Sequence, residues 1–71
     1  MFPATGEKVR IEYLDIDELE AKCWILEYCM LGYLNNSNMK LKLSDLNRKD
    51  KARVTYIDSE TGRIELSHIE E

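Results

Sequence analysis

The chain has 71 residues, a net charge of −4 and a composition that is 44% hydrophobic and 34% charged. A chain this short holds one core, which makes a single domain over residues 1–71, and it is too apolar to be disordered. Its acidic balance speaks against a nucleic-acid binder with one dominant positive face, so no direct nucleic-acid contact is expected. Neither a run of eighteen apolar residues nor a signal-peptide pattern is present, so a cytoplasmic protein with no membrane contact is expected.

Residues 1–7, with Pro3 and Gly6 as breakers, read as a flexible N-terminus. "KVRIEY" then sets Val9, Ile11 and Tyr13 against Lys8, Arg10 and Glu12, the period of a half-buried strand. Asp17 with Glu20 three residues on resembles a helix cap, acids crowd the first turn, and Glu18 faces Lys22 at i,i+4. A short helix over residues 17–24 is therefore predicted. Strands follow at 26–34 and 38–43, joined as a hairpin at Asn35-Asn36, with Met39, Leu41 and Leu43 turned inward. "SDLNRKDK" is a polar connector, and further strands are predicted at 52–57 and 63–69. The fold class is thus mostly β in an α+β sense. A short N-terminal helix precedes a bent antiparallel four-to-five-stranded sheet or small barrel, Sm-like or SH3-like in type.

Charge is distributed in blocks. Between Glu12 and Glu27 six acids face Lys22 alone, whereas between Lys40 and Arg53 six cations face Asp45 and Asp50, and the tail from Asp58 onward is acidic again. Such blocks favour a basic protein partner for the acidic segment. Cys23 and Cys29 lack the count and spacing of a zinc site and are expected to be reduced thiols in the core. His68 and Ser67 are adjacent on a strand and point to opposite faces, which does not make a nucleophile and base. No phosphate-cradling loop accompanies the glycines, and the expectation is a non-enzymatic, monomeric protein without metal or cofactor. Trp24, Tyr28 and Tyr33 could stack on bases but read first as core.

The pieces "DELEAKC", "NN", "SDL", "NRKD", "ARVTYID" and "GRIELSHI" together resemble the Rof family of small inhibitors of the transcription termination factor Rho. The resemblance runs over about residues 11–69. It lacks the proline and cysteine that the family carries around Arg10 to Tyr13, and it has Asp50 in place of an asparagine. What it implies is an Sm-like fold that docks on the primary RNA-binding surface of Rho and excludes RNA, an antitermination activity of a bacterial cytoplasm. Asp17, Glu18 and Glu20 would then be acidic contacts from the helix, Asp15 joins them on charge alone, and Asp45, Arg48 and Lys49 would be contacts from the connector. The alternative is an Sm-like or WYL-like module that binds oligonucleotides through Lys40, Lys42, Arg48, Lys49 and Arg53. An acidic mimic that inhibits some other basic enzyme is a third reading.

Overall fold

The computed structural model describes residues 1–70, and Glu71 lies outside the described residues. Five strands follow one another: β1 (Lys8–Ile16), β2 (Glu20–Ile25), β3 (Met30–Asn35), β4 (Lys49–Ile57) and β5 (Ile64–His68), with one 3-10 turn at Leu43–Asp45 before β4. They close into a barrel in the order β1-β2-β3-β5-β4, and β4 returns to β1. All pairings are antiparallel except β3 with β5, which run parallel. Closure leaves no unpaired edge, which matters in a chain too small to cover one.

Period-two alternation fills the interior. Val9, Ile11 and Tyr13 of β1, Ala21, Cys23 and Ile25 of β2, Leu34 of β3, Ala52 and Val54 of β4, and Ile64 and Leu66 of β5 are all buried. The alternation breaks twice, and both breaks are bulges. Register shifts between Tyr13 and Asp15 on β1 and between Val54 and Tyr56 on β4, which leaves Leu14 and Thr55 as the extra residues. Without the extra residue, strict alternation would turn Ile16 and Ile57 outward. With it, Ile16 is buried opposite Ala21 and Ile57 packs on the core opposite Ile64, while both strands bend as a small barrel requires.

Closure is tightest at Gly32, where a Cβ would stand 2.7 Å from Leu66 Cδ1 and 3.0 Å from Ile25 Cδ1. Gly32→Val should cost about 1–3 kcal/mol by overpacking. Urea denaturation checks this, and a midpoint equal to the wild type would show that β3 and β5 have room to separate.

Several expectations are corrected. No helix forms at residues 17–24. Asp17 Oδ1 accepts the N–H groups of Leu19 and Glu20, each at 2.8 Å, but this cap-like pair closes the turn between β1 and β2 instead of starting a helix. The all-β closed barrel therefore replaces the α+β, Sm-like reading, of which the small barrel alone survives. The hairpin is also displaced. β2 and β3 pair through Ile25 and Met30 around a turn at residues 26–29, in which Cys29 takes a left-handed φ of 51°. Residues 38–43 are not a strand. Met39 and Leu41 pack against the core from the β3–β4 connector, and Leu43 is exposed. Of the two thiols, Cys23 is buried with its pKa pushed up to about 12 by that burial, whereas Cys29 is exposed.

Asn36, expected in a tight turn, is instead the one buried polar residue among those described. Its backbone N–H donates to Leu19 O at 2.9 Å, and its Nδ2 donates to Asp17 O at 2.8 Å and Leu41 O at 3.1 Å. Its Oδ1 accepts the Leu41 N–H at 2.7 Å. The side chain thus fastens the β1–β2 turn to the connector that leaves β3.

A second polar cluster stands at the core's edge. Asp50 Oδ2 accepts the Tyr13 hydroxyl at 2.8 Å and lies 3.0 Å from His68 Nε2, with Arg48 beside it at 3.6 Å. Burial alone would raise the Asp50 pKa. The Lys51 backbone N–H, the Tyr13 hydroxyl and His68 outweigh it and hold the carboxyl below its usual value. Burial first, and the Asp50 hydrogen bond second, push the Tyr13 phenol well up. Because the folded pKa of Asp50 is depressed, its contribution is complete above the unfolded carboxylate value of about 3.9 and is lost as pH falls through the folded one. Thermal melts at neutral pH and near pH 3 should therefore show Asp50→Asn less stable than wild type at neutral pH, with the gap narrowing in acid. A gap that is constant across pH would remove the carboxylate from the account.

Candidate nucleic-acid interface

Because Ala21, Cys23 and Ile25 point inward, their neighbours Glu20, Lys22 and Trp24 point outward, and on β3 so do Leu31, Tyr33 and Asn35. Register places Lys22 opposite Tyr33 and Trp24 opposite Leu31, so the two aromatics are diagonal neighbours on one face. Both are half-buried, and Leu31 is exposed. Neither belongs to the core that sequence reading assigned them to. Tyr28 does pack against the core, with its hydroxyl donated to Glu7 Oε2.

Arg63, on the loop between β4 and β5, lies over the Tyr33 ring at 4.0 Å from the centroid. It is held there by ion pairs with Glu20 of β2 and Glu65 of β5. Gly62, with a φ of 77°, lets the loop make this turn. Beside the ring opens a concavity of about 540 Å³ lined by Met30, Leu31, Tyr33, Thr61, Gly62 and Arg63. An aromatic face, a planar cation and an apolar floor at one mouth are what a flat heterocycle needs for stacking.

The expected partner-contact residues fall in two groups. Asp15 on β1 is opposite Lys22, Asp17 and Glu18 form the β1–β2 turn, and Glu20 is the clamp on Arg63. Asp45 accepts the Lys42 N–H at 2.9 Å in the 3-10 turn and pairs with Arg48 at 3.2 Å. Arg48 also lies 5.3 Å over the Tyr13 ring, and Lys49 begins β4 exposed. Both groups lie near the far end of β1, since the Asn47 N–H donates to Tyr13 O. Only Asp15, Glu18 and Lys49 lack a structural duty among the interactions described above, and no acidic helix gathers the carboxylates into one surface. Among the described residues no cluster of His, Cys, Asp and Glu could hold a metal ion, and no helix is long and apolar enough to cross a membrane.

A closed five-stranded Greek-key barrel in this strand order is the architecture of the OB-fold, whose second and third strands form its usual binding face. No protein-family model and no curated protein matches the chain. Solved structures do. A chain of the a/eIF2alpha–aDim2p–rRNA complex from Pyrococcus horikoshii OT3 superposes with a TM-score of 0.80 at 24% identity, over 96% of this chain and 45% of that one. The intact alpha subunit of aIF2 from Pyrococcus abyssi superposes with a TM-score of 0.76 at 24% identity, over 93% of this chain and 28% of that one. The chain thus spans less than half the length of either. At this identity the likeness establishes the fold, and nothing in it bears on the Rof resemblance.

Proposed function

We propose that this barrel is a non-catalytic module that binds single-stranded RNA, with bases stacked on the outer face of β2 and β3. The observation that carries the reading is the outward pair Trp24 and Tyr33 beside the Arg63 concavity. These are surface aromatics that the core does not need. Support also comes from the Pyrococcus horikoshii neighbour, whose complex contains rRNA. This is nearer to the oligonucleotide-binding alternative than to docking on Rho, for which the required acidic helix is absent. The face differs from the one that alternative named. Lys40 and Lys42 sit in the connector, Arg48 is engaged by two carboxylates, and the Arg53 guanidinium donates to Gly6 O at 2.7 Å.

The net charge of −4, with Glu20 and Glu65 at the site itself, does not exclude this mode, because stacking depends on base faces. It does limit the strength, so a dissociation constant on the order of micromolar is expected at physiological salt. Fluorescence anisotropy with a labelled single-stranded RNA octamer tests the proposal, with an abasic strand of equal length as control. Saturable binding of the octamer and weak binding of the abasic strand support it. Equal binding of both, or none at low salt, overturns it.

A further inference from the structure

The outer face of β1 and β4 carries a second, separate array. β1 and β4 pair so that Lys8 stands opposite Arg53, Arg10 opposite Lys51 and Glu12 opposite Lys49. All five cations are exposed, and they alternate with residues turned inward, among them Val9, Ile11, Ala52 and Val54. Two successive cross-strand pairs are therefore like-charged, an arrangement that weakens a sheet. Arg10 shares Glu27 at 3.0 Å, and Arg53 donates to the Gly6 carbonyl. Half of the chain's ten Lys and Arg residues thus stand on two adjacent strands of an acidic protein.

We propose that this ladder is a second nucleic-acid surface that grips the sugar–phosphate backbone of a base-paired segment. Alternate residues on one strand are about 6.8 Å apart, close to the separation of successive phosphates along a nucleic-acid strand. Lys49, Lys51 and Arg53 thus form a row at phosphate spacing, with Lys8 and Arg10 as a parallel row on β1. None of these rows carries a large apolar residue, and a protein interface would be expected to supply an aromatic or aliphatic anchor there. The ladder strand β1 pairs with the stacking strand β2, so the two surfaces adjoin around the barrel. One small domain could then hold an unpaired segment on β2–β3 and an adjoining helix on β1–β4. This extends the RNA-binding reading but does not require the stacking face to work, because paired bases offer no faces to stack.

The experiment titrates a labelled twelve-base-pair RNA duplex with the wild-type chain, with Lys51→Glu/Arg53→Glu, and with Trp24→Ala/Tyr33→Ala, each at several salt concentrations. Reversal turns two like-charged cross-strand pairs into opposite ones, so that variant should fold, which circular dichroism confirms. The expected result is duplex binding by the wild type, a loss of at least tenfold in the charge-reversed variant, and a log–log salt dependence shallower by about two. The aromatic variant should bind duplex as the wild type does. If the wild type ignores duplex at low salt, or the charge-reversed variant binds it equally, the ladder is not a backbone site, whatever the single-strand titration shows. Poly-glutamate competing as well as duplex at equal charge would reassign the face to an acidic protein and overturn the proposal. The aromatic variant losing duplex and single strand together would place both on β2–β3 and overturn it also.

Discussion

Replacing Asn36 with alanine should destabilise the barrel by about 3 kcal/mol, a large share of the 5 or so that a domain of this size is expected to have. The truncation leaves three part-buried backbone groups without their bonds: the carbonyls of Asp17 and Leu41 and the N–H of Leu41. Each such group costs about 1–3 kcal/mol when left unsatisfied, and partial access to water reduces the sum. Asn36→Asp discriminates the cause. It keeps an acceptor for the Leu41 N–H but cannot donate to either carbonyl, and it places a carboxylate at a residue only 2% exposed. Urea midpoints at neutral pH should therefore rank wild type well above both variants. If Asn36→Asp is as stable as wild type, the two donated bonds contribute nothing and the turn and connector are held by packing and the remaining hydrogen bonds.

Asn36 also shows where the chain was legible and where it was not. The alternation in "KVRIEY" located β1, and the β-formers in "ARVTYI" and "RIELSHI" located β4 and β5 to within a few residues. These strands carry their pattern locally. The segment from Asp17 to Leu43 does not. Asp17 caps the N–H three residues on in the manner expected of a helix start, and only the distant pairing of Glu20 with Asn35 and Arg63 decides for a strand. Ala21, Cys23 and Ile25 alternate as a strand should, but the acids before them argued against β structure, and the cation that accommodates Glu20 is 43 residues away. The real hairpin turn, "LEYC", contains no Gly, Asn or Pro, whereas "NN" contains the usual turn residues and serves as a bolt. Once the strands are misplaced, the site is lost as well, because a shift of one residue exchanges the two faces of a strand. Trp24 fell at the end of the predicted helix, and both it and Tyr33 read first as core because packing is the commoner role of an aromatic. The signal that could have placed them was the strict alternation of small and apolar residues from Ala21 to Ile25, which puts Trp24 outside.

Removal of the Tyr33 ring is the change expected to affect RNA binding most. Each base stacked on an aromatic contributes about 1–3 kcal/mol, so Tyr33→Ala and Trp24→Ala should each weaken single-strand affinity by roughly 5- to 150-fold. Tyr33→Phe should bind nearly as the wild type does, since stacking needs the ring face and no described hydrogen bond uses the Tyr33 hydroxyl. Arg63 adds a further test, because its guanidinium already covers the ring and its charge is shared between Glu20 and Glu65. A base entering this site either stacks on the guanidinium or displaces it, and in both cases the carboxylates keep Arg63 from a phosphate. Glu65→Gln weakens that hold, so it should tighten RNA binding and steepen its salt dependence, as expected when a cation becomes available to the backbone. Anisotropy titrations of the four variants against one single-stranded octamer separate these outcomes, with circular dichroism to confirm folding. Tyr33→Ala and Trp24→Ala titrating with wild-type affinity would remove the β2–β3 face from the account. A Glu65→Gln variant that binds more weakly than wild type would mean that the Arg63 clamp is part of the bound geometry and not a restraint on it.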